Sequence, residues 1–220
     1  LEVGRSMLSQ SGIHIWGSPH HALQPFEFEG PDGKVAICPM PFSEPRRIGD
    51  ALGLDVNESK PSDEDILEGS LFSYIETCEH KEPSLNLHNY DHMYQAWSNH
   101  LRNQVPKGMR SIAISHAFVM GGDVCGSERT LSVGGSEQVS PQVFKDFHYT
   151  ALGHLHGPQR MGADYIRYSG SPLKYSFDEH TQKKSFTIID MDTKGNVDIS
   201  TIPVEAKRDV VILEGYFEDL

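Results

Sequence analysis

Apolar residues recur at helical spacing in three stretches of the chain, and each stretch predicts a helix. The predicted helices cover 2–10, 62–78 and 87–101. Ser62 and the acidic residues that follow it are typical of a helix start, because they complement unpaired amide groups and the positive end of the helix. We interpret the apolar stripes of the second and third helices as core-facing surfaces rather than binding surfaces.

Shorter apolar runs bounded by loop residues predict strands. These runs cover 13–16, 35–38, 112–114, 149–152, 165–168, 185–191 and 197–202. Pro39 and Pro41 follow the second run, and we expect them to end it because proline cannot continue a central ladder. The stretch 45–61 has no strong period, which predicts a surface loop or an irregular helix. Strands with interspersed helices indicate an α/β layered domain.

The composition is ordinary for a globular protein, with 37% hydrophobic and 23% charged residues. No apolar run approaches the ~20 residues of a membrane span, and no charged-then-apolar leader opens the chain. Cys38, Cys78 and Cys125 are too widely spaced for a disulfide framework or a zinc knuckle. We therefore expect a protein without membrane association in a reducing, cytoplasmic setting.

The formal net charge of −12 argues against a surface that coats nucleic acid, because phosphate contacts need Lys and Arg. It does not exclude a nuclease, since bound divalent metal ions supply positive charge at the scissile phosphate. The chain also holds 12 histidines, a high number that raises the possibility of metal chemistry.

The most informative motif is the run from Gly153 to His156, which follows a predicted strand. In extended backbone, residues two apart project to the same face, so His154 and His156 are expected to point the same way. Gly153 leaves room for a metal ion or phosphate to approach the backbone. Two such imidazoles can ligate the two ions of a dinuclear centre. The alternative is a strand with two histidines on its wet face.

A third histidine, His116, also follows a predicted strand, and open α/β sheets place ligand sites at strand ends. Around these histidines the chain reads Ser115-His116-Ala117-Phe118-Val119, Gly153-His154-Leu155-His156-Gly157-Pro158-Gln159 and Ser169-Gly170-Ser171-Pro172-Leu173-Lys174. With these motifs the chain resembles the SbcD family of nuclease subunits, within the calcineurin-like metallophosphoesterase superfamily. The resemblance runs over 1–220 and is densest over 111–186.

The resemblance implies a four-layer αββα sandwich that cuts DNA with two divalent ions, expected to be Mn²⁺. His116 and His154 would ligate one ion, and His156 the other. It also implies a 3′-to-5′ exonuclease and hairpin endonuclease in DNA recombination, replication and repair. The implied partners are DNA, an SbcC-type ATPase that makes cutting ATP-dependent, and a second SbcD subunit within a heterotetramer.

Three motifs that SbcD-like enzymes carry earlier in their chains are missing here: Asp-x-His, Gly-Asp-x-x-Asp and Gly-Asn-His-Asp/Glu. We interpret the nearest matches, 146–148, 122–126 and 99–100, as structural segments without this role. The chain thus looks like a fragment whose bridging carboxylate and catalytic histidine lie upstream of Leu1. Without that carboxylate a dinuclear site should bind manganese poorly, so we expect the fragment alone to be inactive.

The resemblance further implies two domains. Residues 1–205 would form part of the nuclease domain, and 206–220 would begin a DNA-capping domain. Arg129, Ser171 and Lys174 are candidates for substrate binding, because Arg and Lys near a cutting site often position phosphates. For the two basic residues the alternative is a solvated or ion-paired side chain.

Two other functions stay open at this point. Another metallophosphoesterase, such as a phosphatase or a phosphodiesterase, would use a similar histidine motif. A degenerate subunit that serves as a scaffold for an SbcC-like ATPase would need no activity at all.

Overall fold

The computed structural model describes residues 5–54, 86–126, 128 and 137–216. Within these residues the helices are α1 (Arg5–Gln10), α2 (Pro45–Leu52) and α3 (Tyr90–Gln104). Short 3-10 turns cover Pro19–His21, Pro141–Phe144 and Phe177–Glu179. The strands are β1 (Phe26–Gly30), β2 (Gly33–Met40), β3 (Arg110–His116), β4 (Phe118–Val119), β5 (Gln138–Val139), β6 (Tyr149–Gly153), β7 (Gln159–Met161), β8 (Ala163–Tyr168), β9 (Ser185–Met191) and β10 (Val197–Pro203).

The central feature of the fold is a six-stranded sheet in the order β1-β2-β3-β6-β8-β7. The four inner strands, β2, β3, β6 and β8, run parallel to one another, and an antiparallel strand closes each edge. The parallel register places the last residue of β3, His116, opposite the last residue of β6, Gly153. The carboxyl ends of two inner strands therefore meet at one edge, where open α/β sheets carry their ligand sites.

Helix α3 covers one face of this sheet and supplies its largest buried side chains. Trp97 and Tyr94 are fully buried, and the Trp97 indole donates a 2.9 Å hydrogen bond to the Ala22 carbonyl. The facing row across the sheet is equally buried, and it comprises Cys38, Ala113, Thr150 and Ile166. On the opposite face Ile114 is 47% exposed, so at this position that face is less buried than the face under α3.

The predicted helix over 87–101 is confirmed as α3, and the one over 2–10 as α1, whose described part begins at Arg5. The helix predicted over 62–78 lies outside the described residues. The expected loop or irregular helix over 45–61 is wrong for its first part, where α2 is a regular helix. Pro45 stands at the first turn of α2, and Gly53 ends the helix in the left-handed conformation. These two residues are typical helix boundaries, and they define the helix although its apolar residues show no strong period.

Most predicted strands are confirmed, and two details are corrected. No strand forms over 13–16, where His14 and Trp16 instead pack their rings against Phe26. Pro39 does not end β2, which continues to Met40. The ladder between β1 and β2 stops at the pair Phe26–Ile37, so Pro39 stands where β2 has lost that neighbour and needs no amide hydrogen on that side.

The structure confirms a mixed α/β fold with a mostly parallel central sheet. The segment 192–196 joins β9 and β10, which form a separate antiparallel hairpin. None of the helices in the described part of the chain is long and apolar enough to cross a membrane. The domain boundary expected at residue 205 stays a prediction.

Candidate metal centre

His116 and His154 lie together at the carboxyl ends of β3 and β6. Their ring centroids are 5.3 Å apart and the two planes are nearly perpendicular. A Cβ atom on Gly153 would lie 3.1 Å from Nδ1 of His116, closer than most side chains tolerate. The glycine therefore makes room for the imidazole of His116 on the neighbouring strand. The sequence had led us to expect that the space would serve a metal ion or a phosphate.

The backbone turns sharply at His154. Its φ of 126° is the only positive φ of a non-glycine residue among the described residues. Such a conformation costs about 1–3 kcal/mol and persists only where the surroundings impose it. Strand β6 ends at Gly153, so the expectation that extended backbone carries both His154 and His156 is wrong. The turn at His154, rather than strand alternation, sets the directions of the two rings.

Burial and mutual proximity favour the neutral form of this histidine pair. Burial, with His154 adding to it, lowers the pKa of His116 below its ordinary value. Burial is also the main cause that lowers the pKa of His154, with His156 adding to it and the Glu128 and Glu137 carboxylates opposing it. Neutral imidazole is the form that ligates metal ions, so both side chains are in a suitable state at neutral pH.

His156 is held separately, by contacts to its main chain and to its ring. Its backbone N–H donates to the Glu128 carboxylate, and its carbonyl accepts from the Ser171 amide at 3.0 Å and from the Lys184 ammonium at 2.9 Å. Its Nδ1 atom lies 3.0 Å from Oε1 of Glu179. Glu179 is fully buried and its other oxygen, Oε2, accepts from Lys184 at 2.6 Å.

The donor atoms present fit one edge of a metal centre but do not complete it. Within the described ranges, no three His, Cys, Asp or Glu side chains are grouped closely enough to hold an ion. A cavity of about 350 Å³ beside His116, lined in part by Trp16, Ile114 and Gly153, leaves space for further groups. His116 and His154 thus fit as two imidazole ligands, and no third ligand completes a group with them in the part of the chain that the structure describes.

The segments that resemble missing motifs make hydrogen bonds within the fold, and their lack of a catalytic role stays a prediction. Nδ1 of His148 accepts from the Ser111 amide at 3.0 Å. His100 lies on α3 with its ring against the Leu23 carbonyl. The Asp123 amide donates to the Gln159 side chain at 2.8 Å. Each contact ties its segment to a neighbouring part of the chain.

The structure describes two of the three candidates for DNA contact, and both already make hydrogen bonds within the chain. Ser171 donates from Oγ to the Leu173 carbonyl at 2.7 Å and accepts from Lys184 at 2.8 Å. Lys174 donates to the His180 carbonyl and to Asp209, and its side chain is only 9% exposed. Arg129 lies outside the described residues. Substrate binding by these three residues stays a prediction.

Three residues beside His156 were given no role from the sequence: Glu128, Glu179 and Lys184. Glu128 and Glu179 stand in segments that carry the resemblance, yet an isolated glutamate has no spacing that predicts burial. Lys184 follows another lysine in a polar stretch, which is typical of a solvated surface. Only the tertiary structure brings these charges together.

Half of the chain is similar in sequence to known proteins. No protein-family model matches it. A segment of 110 residues, 50% of the chain, is 36% identical to a Staphylococcus epidermidis protein named as the SbcD component of the nuclease SbcCD. The protein of the same name from Staphylococcus saprophyticus is 38% identical over 109 residues. Over this half, the chain is similar to SbcD.

This similarity confirms the resemblance over half of the chain, while its extent over 1–220 stays a prediction. Each match covers 29% of the relative's own length, so the chain corresponds to a minor part of those proteins. The name of the relatives describes one component of a nuclease complex.

Proposed function

We propose that the chain forms one edge of the metal centre of an SbcD-type nuclease, a phosphodiester hydrolase that acts on DNA. The observation that carries the proposal is the close pairing of His116 and His154 at the ends of neighbouring parallel strands. Strand ends of an α/β sheet are the usual place for such a site. The similarity to proteins named as components of a nuclease supports the same reaction class.

The ligands in this proposal are His116 and His154 for one divalent ion and His156 for a second, with Mn²⁺ as the expected metal. When bound, two such ions would supply positive charge that stabilises the oxygens of a phosphodiester under attack. The chain's own contribution is to present neutral imidazoles at fixed positions. Gly153 and the turn at His154 place the first two side chains, and contacts to the main chain and to Nδ1 of His156 place the third.

We further propose that the isolated chain is inactive. The described residues offer imidazole nitrogen but no carboxylate within a three-ligand group, and hard divalent ions prefer oxygen ligands. In this proposal the remaining ligands and the catalytic histidine come from other residues of the complete nuclease. Arg129, Ser171 and Lys174 would then contact the DNA backbone.

For the complete nuclease we propose the architecture and assembly that the family resemblance implies. Residues 1–205 would belong to a four-layer αββα nuclease domain, and 206–220 would begin the capping domain. The complex would be cytoplasmic, with two such subunits joined to an SbcC-type ATPase. It would cut DNA ends and hairpins in an ATP-dependent manner during recombination, replication and repair.

An activity assay on the purified chain tests the inactivity, and any cutting it detects would test the ligand assignment. The chain would be incubated with Mn²⁺ and end-labelled linear or hairpin DNA, beside the variants His156→Ala and His20→Ala. His20 is exposed and lies outside the site, so it serves as the matched control. We expect no cutting by any of the three. Cutting that His156→Ala abolishes and His20→Ala preserves would contradict the inactivity while supporting His156 as a ligand.

A scaffold subunit is the second candidate, because no three-ligand group accompanies the histidines within the described residues. A scaffold would bind the ATPase whether or not the histidines are intact. Capture of an SbcC-type ATPase by the chain and equally by the double variant His116→Ala/His154→Ala would favour this function. We expect no capture by this chain alone. Hydrolysis of p-nitrophenyl phosphate without DNA cutting would instead favour another metallophosphoesterase.

A further inference from the structure

Glu179 and Lys184 form an ion pair that is almost completely shielded from solvent. Their side chains are 0% and 5% exposed, and Nζ of Lys184 lies 2.6 Å from Oε2 of Glu179. Burial of two charges is costly unless their remaining hydrogen-bonding groups are also satisfied. Neither residue belongs to the proposed ligands, so the pair needs another explanation.

The ion pair is directed at His156. The second oxygen of Glu179 lies 3.0 Å from Nδ1 of the imidazole, while Lys184 also contacts the His156 carbonyl at 2.9 Å. Ser171 Oγ at 2.8 Å and Gln182 Oε1 at 2.6 Å also accept from the ammonium group, so four acceptors share its three hydrogens. Lys184 thus orients the Glu179 carboxylate through Oε2, and Oε1 of the same carboxylate contacts Nδ1 of His156.

This geometry fixes the position of the proton on the ring. A carboxylate paired with an ammonium group has no proton of its own to donate, so it accepts. Nδ1 of His156 must therefore carry the hydrogen, and in a neutral ring Nε2 is then the nitrogen with the lone pair. Histidines that ligate metals commonly donate their other ring hydrogen to a carboxylate in this way.

We propose that Glu179, oriented by Lys184, is a positioning residue that holds His156 in the Nδ1–H tautomer with Nε2 directed to the metal. The tautomer is a property of the metal-free chain. The role toward the metal rests on the proposed function.

The variant Glu179→Gln tests the tautomer, because it keeps the shape of the side chain but changes its donors. Lys184 would attract the amide oxygen, which turns the amide NH₂ toward Nδ1 and forces that nitrogen to accept. We expect the Nε2–H tautomer of His156 to become dominant. Two-bond ¹H–¹⁵N correlation spectra of the ¹⁵N-labelled chain distinguish the tautomers, and loss of the signals in His156→Asn assigns them.

Two further variants serve as a control and as a safeguard against misfolding. Glu27→Gln alters a glutamate that pairs with Lys34 at 2.9 Å on the surface, and it should leave the His156 spectrum unchanged. Glu179→Gln combined with Lys184→Met removes both buried charges, which protects folding if the single variant is unstable. Without the ammonium, the amide oxygen can again accept from Nδ1, so the Nδ1–H tautomer should return. An Nε2–H tautomer in the unaltered chain would overturn the proposal, as would equal spectra for the unaltered chain and Glu179→Gln.

A titration with Mn²⁺ separates this proposal from the proposed function. We expect the apparent affinity reported by broadening of the His156 ring signals to fall about 10-fold in Glu179→Gln and to stay unchanged in Glu27→Gln. An equal affinity in both variants would overturn the metal-directed part of the proposal. Absence of broadening at all three histidines of the unaltered chain would contradict the proposed function, while the tautomer would still decide the role of Glu179.

Discussion

Two parts of the candidate site hold their histidines by different means. His116 and His154 are placed by the backbone, through the register of β3 and β6 and the turn with a φ of 126°. His156 is placed by side chains, through Glu128, Glu179 and Lys184. The first arrangement depends on steric room and local conformation, and the second on buried charge. The two parts should therefore respond to different substitutions.

The largest effect is expected at the buried ion pair. Lys184→Ala leaves the Glu179 carboxylate buried without its ammonium partner, and such a loss destabilises proteins by about 3–5 kcal/mol. Urea unfolding monitored by tryptophan fluorescence measures this change. Lys34→Ala breaks an exposed ion pair and serves as the control, for which we expect no measurable change. A loss at Lys184 no larger than at Lys34 would mean that the buried pair does not hold this part of the site.

The next effect is expected at the turn of His154. His154→Gly and His154→Ala remove the same imidazole, but only glycine adopts a positive φ without steric cost. We expect the glycine variant to be more stable than the alanine variant by about 1–2 kcal/mol. The same unfolding assay compares them. Equal stabilities, or a more stable alanine variant, would show that the backbone at 154 is not strained.

A smaller effect is expected at Gly153, where an added methyl group would press on the His116 ring. Gly153→Ala should cost about 1 kcal/mol, because overpacking near a partly buried ring displaces it. Gly17→Ala is the matched control, since a Cβ atom there meets nothing within 4 Å and the φ is not positive. The His116 ring signals should shift in the first variant alone. Unchanged His116 signals in Gly153→Ala would contradict the close packing.

The smallest effect is a pH dependence of stability from the histidine pair. Burial lowers the pKa of His116 and His154 in the folded chain, below the ordinary value of 6.5 that applies when unfolded. As pH falls below 6.5, the unfolded chain takes up protons first, so stability is lost down to the folded pKa values. His116→Ala/His154→Ala should weaken this dependence. Burial also lowers the pKa of His148, so part of the pH dependence of stability should remain in every variant.

The sequence predicts the backbone-placed part of the site better than the side-chain-placed part. Apolar runs reveal β3 and β6, and the histidines stand at their ends, so the meeting of His116 and Gly153 follows from parallel pairing. The turn at His154 could not be anticipated, because nothing in the residue types around it demands a positive φ there. Alternation along a strand was a reasonable expectation that the local geometry overrides.

The network around His156 was beyond sequence reasoning for another reason. Glu128 lies 28 residues before His156 and Glu179 lies 23 residues after it, and no periodicity links such positions. Charged residues are usually solvated, so burial of Glu179 and Lys184 contradicts the ordinary expectation for their types. Strands β4, β5 and β7 were not predicted because two or three residues are too few to show alternation. Strand β1 was also not predicted, although Phe26-Glu27-Phe28-Glu29 alternates as a half-buried strand does.

The central claim, that these histidines form one edge of a divalent metal centre, is tested most directly by titrating the ¹⁵N-labelled chain with Mn²⁺. Paramagnetic broadening reports proximity to the ion even when binding is weak. We predict that the ring signals of His116 and His154 broaden first, followed by those of His156, while exposed His20 broadens only at much higher concentration. Equal broadening of His20 and the three site histidines, or none at the site, would contradict the claim.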